Sequence, residues 1–289
     1  MLVTRSYALC KKLQSFIDLK VIGGENHGER FCVVDEQLLS PEEVDNENVF
    51  GPNVQLDTGV FQLVPFKTPT NPKIKRRNTY YITGPNGIGK TVFASKLAAE
   101  YMAVNPYNNL IWMTPIPDCP ELHALNPIII NISSPEMVQL NIYDENERLR
   151  IVDNPDDDIF NQTSQLQNSM IIFDDIEGCE NPKLINKIYT ELVNPSFTVG
   201  RHFNISVILI KHHAAEYSKT RTFLLEAEYL TVFPRDTPRN AIRHLLSYYV
   251  GLRPDQINDI INCGQRHVTI HNRYPIASIT NDTFEVLTV

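Results

Sequence analysis

The chain is short of cysteine, and what it has is scattered: Cys10, Cys32, Cys119, Cys179 and Cys263 in 289 residues. No C-x-x-C pair occurs, so neither a zinc ribbon nor a disulfide framework is indicated, and the expected compartment is reducing. Cys263, His267 and His271 are each four apart. On a strand such spacing places them along one face, and no metal is expected there. Long apolar runs are also missing; none approaches the ~20 residues that span a bilayer. The opening Met1-Leu2-Val3-Thr4-Arg5-Ser6 lacks the apolar stretch of a secretory signal. The expectation is therefore no membrane partner. Internal repeats and low-complexity tracts are absent as well.

Positive charge is the third scarcity, with 26 Lys and Arg against 34 Asp and Glu, a formal net charge of −8. It is unevenly spread. Residues 136–180 hold twelve acids against only Arg148 and Arg150, whereas residues 195–289 carry ten basic and eight acidic groups. Such a balance argues against tight, nonspecific nucleic-acid binding by an isolated subunit. It leaves open DNA held within a ring, where only the pore lining must be basic. A hydrophobic content of 42% in 289 residues is that of a globular protein with room for one large domain and an appendage.

Up to about residue 75 no nucleotide motif occurs. A short helix is expected within 9–19 and strands at 29–34 and 60–66, separated by a Pro- and acid-rich loop from Ser40 to Pro52. The basic run Lys73-Ile74-Lys75-Arg76-Arg77 reads as a solvated strand entrance, with DNA or partner contact as its alternative. From Asn78 onward strands and helices alternate. Strands are expected at 78–83, 110–114, 128–132, 170–173, 205–210 and 229–233, and helices at 91–102, 183–192, 238–250 and 254–262. Near-continuous apolar strands between helices predict a mostly parallel sheet buried on both faces. The tail, 266–273, 276–280 and 284–288, reads as antiparallel strands. The predicted class is α/β, with a small β-rich extension over 1–75 and the principal domain over 76–289.

Two motifs carry chemistry. Gly84-Pro85-Asn86-Gly87-Ile88-Gly89-Lys90-Thr91 matches G-x-x-x-x-G-K-[ST] in full, after a β-branched strand and before a helix that opens through Val92. The glycines let backbone N–H groups curl around phosphate oxygens, and the helix N-terminus adds its positive dipole. Lys90 is expected to reach the β- and γ-phosphates of ATP, and Thr91 to ligate Mg²⁺. Met170-Ile171-Ile172-Phe173-Asp174-Asp175 is the complementary strand, with Asp174 as the second Mg²⁺ holder. Asp175 is expected to orient the attacking water, with Glu177 as the fallback base. The interval from Lys90 to Asp174 contains two strand candidates. That suits strand-inserted P-loop ATPases (the ASCE type) better than nucleotide kinases.

Gly-Pro-Asn-Gly looks like the ABC ATPases, but no L-S-G-G-Q signature follows. Kinases need an arginine-rich lid, for which Arg148 and Arg150 are thin candidates. A better likeness comes later. Val199-Gly200-Arg201-His202-Phe203-Asn204-Ile205-Ser206-Val207-Ile208 resembles the segment leading into the fourth core strand of viral genome-packaging ATPases of the FtsK/HerA class, found in poxviruses, other large DNA viruses and virophages. Lys219-Thr220-Arg221, the strand ending Phe233-Pro234-Arg235 and the terminal strand pair continue the resemblance over roughly 78–289. It implies a motor that translocates double-stranded DNA, assembled as a homo-oligomeric hexameric or pentameric ring. It further implies capsid vertex proteins as partners and an intracellular site, in host cytoplasm or viral factory, with virion association. It also implies an arginine supplied in trans, for which Arg201 and Arg221 are candidates. The strand after Arg201 ends in Lys211-His212-His213 where the family commonly has glutamine. Either His212 is the sensor or γ-phosphate sensing differs here, with His212 a loop histidine of no such role. Another helicase or translocase, a small-molecule or nucleotide kinase, and a nucleotide-binding subunit without turnover stand as alternatives.

Overall fold

A computed structural model describes residues 1–13, 17–67, 76–117, 119–132, 139–143, 149–152, 166–213 and 217–287. Its strands are β1 (Leu2–Thr4), β2 (Asp18–Ile22), β3 (Arg30–Val34), β4 (Asn53–Gln55), β5 (Val60–Leu63), β6 (Thr79–Thr83), β7 (Asn109–Thr114), β8 (Ile128–Asn131), β9 (Gln139–Tyr143), β10 (Leu149–Val152), β11 (Ser169–Asp174), β12 (Ile205–Lys211), β13 (Tyr229–Val232), β14 (Val268–His271), β15 (Ala277–Ile279) and β16 (Thr283–Val286). The chain divides into two compact units, Pro65–Ala227 and a discontinuous one made of Met1–Val64 with Glu228–Val289. The first 64 residues thus cluster with the C-terminal segment Glu228–Val289.

In the unit Pro65–Ala227 the strands run in the order β10-β9-β8-β7-β11-β12-β6. The pairs β7·β8, β7·β11, β11·β12 and β12·β6 are parallel, and β8·β9 and β9·β10 antiparallel. Strands β6, β11 and β12 are buried along their whole length. That accounts for apolar runs such as Ile205-Ser206-Val207-Ile208-Leu209-Ile210, since helices cover both faces of a parallel sheet. The decisive feature is the place of β12. It lies between β6, which leads into the glycine loop, and β11, which ends in the acids. The sheet is thus of the strand-inserted kind. The inserted strand comes from after the second motif; the two strands between the motifs in sequence, β7 and β8, lie beyond β11.

The helix Lys90–Val104 buries Lys90, Ala94, Leu97, Ala98 and Tyr101, a stripe at helical spacing, against this sheet. The helix Pro182–Ile188 is capped by Asn181, whose side chain accepts from the Lys183 and Leu184 amides, and runs on into a π-helical turn, Tyr189–Val193. Arg77, from the expected solvated entrance, is structural. It donates to the Ser196 and Phe197 carbonyls and, at 3.3 Å, to Ile205 O. A Cβ on Gly200 would meet its guanidinium at 2.5 Å, so Gly200 is where that side chain passes. Arg76 lies over the Phe66 ring, 3.6 Å from its centroid; Lys73, Ile74 and Lys75 fall outside the described residues. Arg77→Ala strands buried carbonyls and is expected to lower stability by about 1.5–3 kcal/mol. A thermal melt checks this, and an unchanged midpoint would mean water satisfies those carbonyls.

In the other unit, β1-β3-β2-β5 form one antiparallel sheet, and β13-β14-β15-β16-β4 pair antiparallel in succession. The helix expected within 9–19 is shorter and earlier, Tyr7–Lys12, because Asp18–Ile22 is taken into a sheet. One sequence expectation is corrected here. Cys10 and Cys32 are joined in a disulfide, Cα atoms 6.2 Å apart. Cys10 lies in the helix Tyr7–Lys12, which follows β1, and β1 pairs with β3 so that Thr4 lies opposite Cys32; this folding back of the chain, which scattered spacing does not disclose, brings the two cysteines together. Cys263 is exposed, whereas His271 is buried, with Nδ1 2.8 Å from Pro275 O and Nε2 3.5 Å from Glu228. A cavity of about 450 Å³ in this unit, lined by Arg253, Asp259, Gln265 and Glu285 among others, includes no residue of the glycine loop. Among the described residues no helix is long and apolar enough to cross a membrane.

Candidate nucleotide site

The loop between β6 and the helix Lys90–Val104 takes a conformation that its glycines permit. Gly87 and Gly89 have φ of 75° and 94°, and Gly89 forms the helix N-cap in the left-handed region. Nothing lies within 4 Å of a Cβ built on Gly87, so backbone conformation alone accounts for glycine there. Ile88 is buried and anchors the loop, while Asn86 and Gly87 at its tip, and Val92 in the first helical turn, are exposed.

Lys90 and Asp174 meet at one end of the sheet. The Thr91 hydroxyl donates to Asp174 Oδ2 at 3.1 Å. The Lys90 ammonium, 6% exposed, donates to Gly84 O at 2.7 Å and Pro85 O at 2.6 Å, and lies 3.1 Å from His212 Nδ1. An ammonium has three protons and accepts none, so His212 Nδ1 is the acceptor. The ring is then the neutral Nε2–H tautomer, and that N–H donates to Asp175 Oδ1 at 2.6 Å. Lys90, His212 and Asp175 form one chain of hydrogen bonds. Burial lowers the Lys90 pKa, against the opposing pull of Asp174 and Asp175. Burial raises that of Asp174; the hydrogen bond from Thr91 and the nearby Trp112 N–H oppose this, Asp175 adds to it, and Lys90 opposes it. The Trp112 Nε1–H lies near enough to act on that carboxylate yet outside the limits of a formed hydrogen bond.

Asp175 holds a left-handed backbone, φ 51° and ψ 46°, an arrangement uncommon outside glycine and frequent where side chains are held for function. Gly178 leaves room for its carboxylate, because a Cβ there would lie 3.0 Å from Asp175 Oδ2. Glu177 is engaged elsewhere. Its Oε1 lies 2.5 Å from the Lys211 ammonium and accepts from the Tyr189 hydroxyl at 2.5 Å. Burial pushes its pKa up, but Lys211 and the two hydrogen bonds outweigh this and hold it below the usual range. Lys211 is itself buried, its Nζ 5.0 Å from the Tyr189 ring centroid. Two successive residues at the end of β12 thus each take one acid, Lys211 holding Glu177 and His212 holding Asp175.

Lys211 and Tyr189 were not anticipated as site residues. An apolar strand ending in lysine was a visible sign of the first; nothing local marks the second, which the π-helical turn delivers. Arg201, in the turn Gly200–Phe203, and Arg221, in the helix Tyr217–Glu226, are exposed. Neither makes an ion pair among the described residues, and neither reaches the Lys90–Asp174 cluster by a hydrogen bond. Arg148 and most acids of the 136–180 block lie outside the described residues.

The chemistry of the oxygen donors fits a hard divalent cation. One carboxylate and one hydroxyl, Asp174 and Thr91, suit Mg²⁺, which takes few protein ligands and completes its shell with water and phosphate. Among the described residues no cluster of three or more His, Cys, Asp or Glu forms a fuller metal cage.

No protein-family model matches the chain. A virophage protein does resemble it. Uncharacterized protein V3 of Sputnik virophage is 27% identical over 259 residues, covering 89% of each chain. Among solved structures, B204, the DNA-packaging ATPase from Sulfolobus turreted icosahedral virus, aligns with a TM-score of 0.45 at 11% identity, over 73% of this chain and 98% of that one. VirB4 of Thermoanaerobacter pseudethanolicus aligns at 0.46 and 10% identity, over 82% and 96%. With TM-scores below 0.5 neither likeness bears on function.

Proposed function

We propose that this chain is an Mg²⁺-dependent ATPase whose hydrolysis drives the movement of double-stranded DNA, as in viral genome packaging. One observation supports the ATPase reading most: Thr91 and Lys90 of the glycine loop share a site with Asp174, with β12 inserted between their strands. Backbone amides of residues 84–91 and the Lys90 ammonium would receive the phosphates, taking Lys90 away from its own loop carbonyls and His212. A bound Mg²⁺, held by Asp174 and Thr91, would neutralise charge on the transferring phosphoryl. Asp175 would orient and deprotonate water, with His212 fixing the carboxylate through Nε2–H and signalling whether Lys90 is engaged. Glu177 would stay with Lys211 as part of the scaffold. The inserted strand speaks against the kinase alternative, whose two motif strands are adjacent.

The DNA part rests on the likeness of residues 199–208 to packaging ATPases. Exposed Arg201 and Arg221, without ion pairs among the described residues, suit contact with a neighbouring subunit in a ring. The expected result is ATP hydrolysis stimulated by duplex DNA, with light scattering showing a hexamer or pentamer in the presence of nucleotide. Hydrolysis indifferent to DNA in a monomer would remove the motor reading, and phosphate release only with a small acceptor would restore the kinase.

A further inference from the structure

Trp112 is the chain's only tryptophan and is 0% exposed within β7. In the parallel register it lies opposite Ile172 of β11. Alternation along the strand then places Asp174, two residues on, on the same face as Trp112. Thr91 reaches Asp174 across that face from the helix Lys90–Val104. The indole Nε1–H is buried and makes no hydrogen bond within normal limits to a described residue. An indole N–H can only donate, and Asp174 offers it a carboxylate with one oxygen already taken by Thr91. A buried donor left short of its acceptor is costly, and a small turn of the carboxylate would relieve it.

We propose that Trp112 is a positioning residue for Asp174: its N–H closes on the carboxylate when the Thr91–Asp174 hydrogen bond opens to admit a divalent cation. The inference rests on the reading of Asp174 and Thr91 as the Mg²⁺ site. Such outer partners orient a ligating carboxylate, and losing one typically weakens metal binding about 10–100-fold. Because no other tryptophan contributes, the indole's emission reports directly on its own surroundings.

The test uses the full chain with a non-hydrolysable ATP analogue. Adding Mg²⁺ to the analogue complex is expected to shift tryptophan emission, and Asp174→Asn to abolish that shift. Calorimetry on Trp112→Phe, and on a chain carrying benzothienylalanine at 112, is expected to show Mg²⁺ affinity lower by about 10–100-fold. Binding of the analogue without metal should be unchanged. Benzothienylalanine keeps the ring volume and removes only the N–H, which covers the case in which the phenylalanine variant does not fold. Normal Mg²⁺ affinity in the N–H-free chain would overturn the proposal while leaving the metal site intact, provided Asp174→Asn still weakens Mg²⁺. Intact Mg²⁺ binding in Asp174→Asn would instead remove the metal-site reading and the inference with it. Equal loss of metal-free analogue binding in the N–H-free chain would reduce Trp112 to a packing role.

Discussion

Lys90→Ala is expected to cut ATP turnover by about 10²–10³-fold or more, the size of effect seen when one preorganised donor to a developing negative charge is removed from an active site. The ammonium touches the glycine loop directly, through Gly84 O and Pro85 O. Its burial, which lowers its pKa, means it meets phosphate in a medium where its charge is poorly screened. The fold should survive. The two loop carbonyls it leaves can turn to water, and His212 keeps its bond to Asp175. Turnover assays beside a thermal melt check both halves. Hydrolysis at the wild-type rate in a folded Lys90→Ala protein would place the reaction somewhere other than this loop.

Asp175→Asn carries the second large effect, with hydrolysis down about 10²–10⁴-fold and nucleotide still bound. Asparagine can still accept the His212 Nε2–H through its amide oxygen, so the geometry is retained while the basic charge is lost. Glu177→Gln is the contrasting variant. Because Glu177 is committed to Lys211 and Tyr189, its substitution disturbs a buried ammonium and should cost about 1–3 kcal/mol of stability with turnover little changed. The pair separates two acids that are only two residues apart. Should Glu177→Gln hold ATP without cleaving it, and Asp175→Asn remain active, their roles are reversed.

Residue patterns alone announced the phosphate loop, because its chemistry is local: glycines at positive φ, a lysine and a threonine opening a helix need no distant partner to be recognised. The apolar strands were equally plain, since a strand buried on both faces cannot carry polar side chains without partners. The helices at 182–193 and 239–250 followed from periodicity. Sequence did less well in the first 64 residues, where short strands such as Leu2–Thr4 and Asn53–Gln55 gain their stability from pairing and leave little pattern.

Tertiary structure decided what depends on residues far apart. Which strand separates β6 from β11 is a matter of topology, and the answer, β12, comes from beyond both motifs. The assignment of acids to partners, Glu177 to Lys211 and Asp175 to His212, arises only where β11 and β12 end side by side. Arg77 looked like one more surface cation until its guanidinium met carbonyls more than a hundred residues away. Composition and spacing determine which groups a chain can offer to a ligand; burial and pairing determine which of them remain free to act, because a charge removed from water must take whatever partner the fold brings to it.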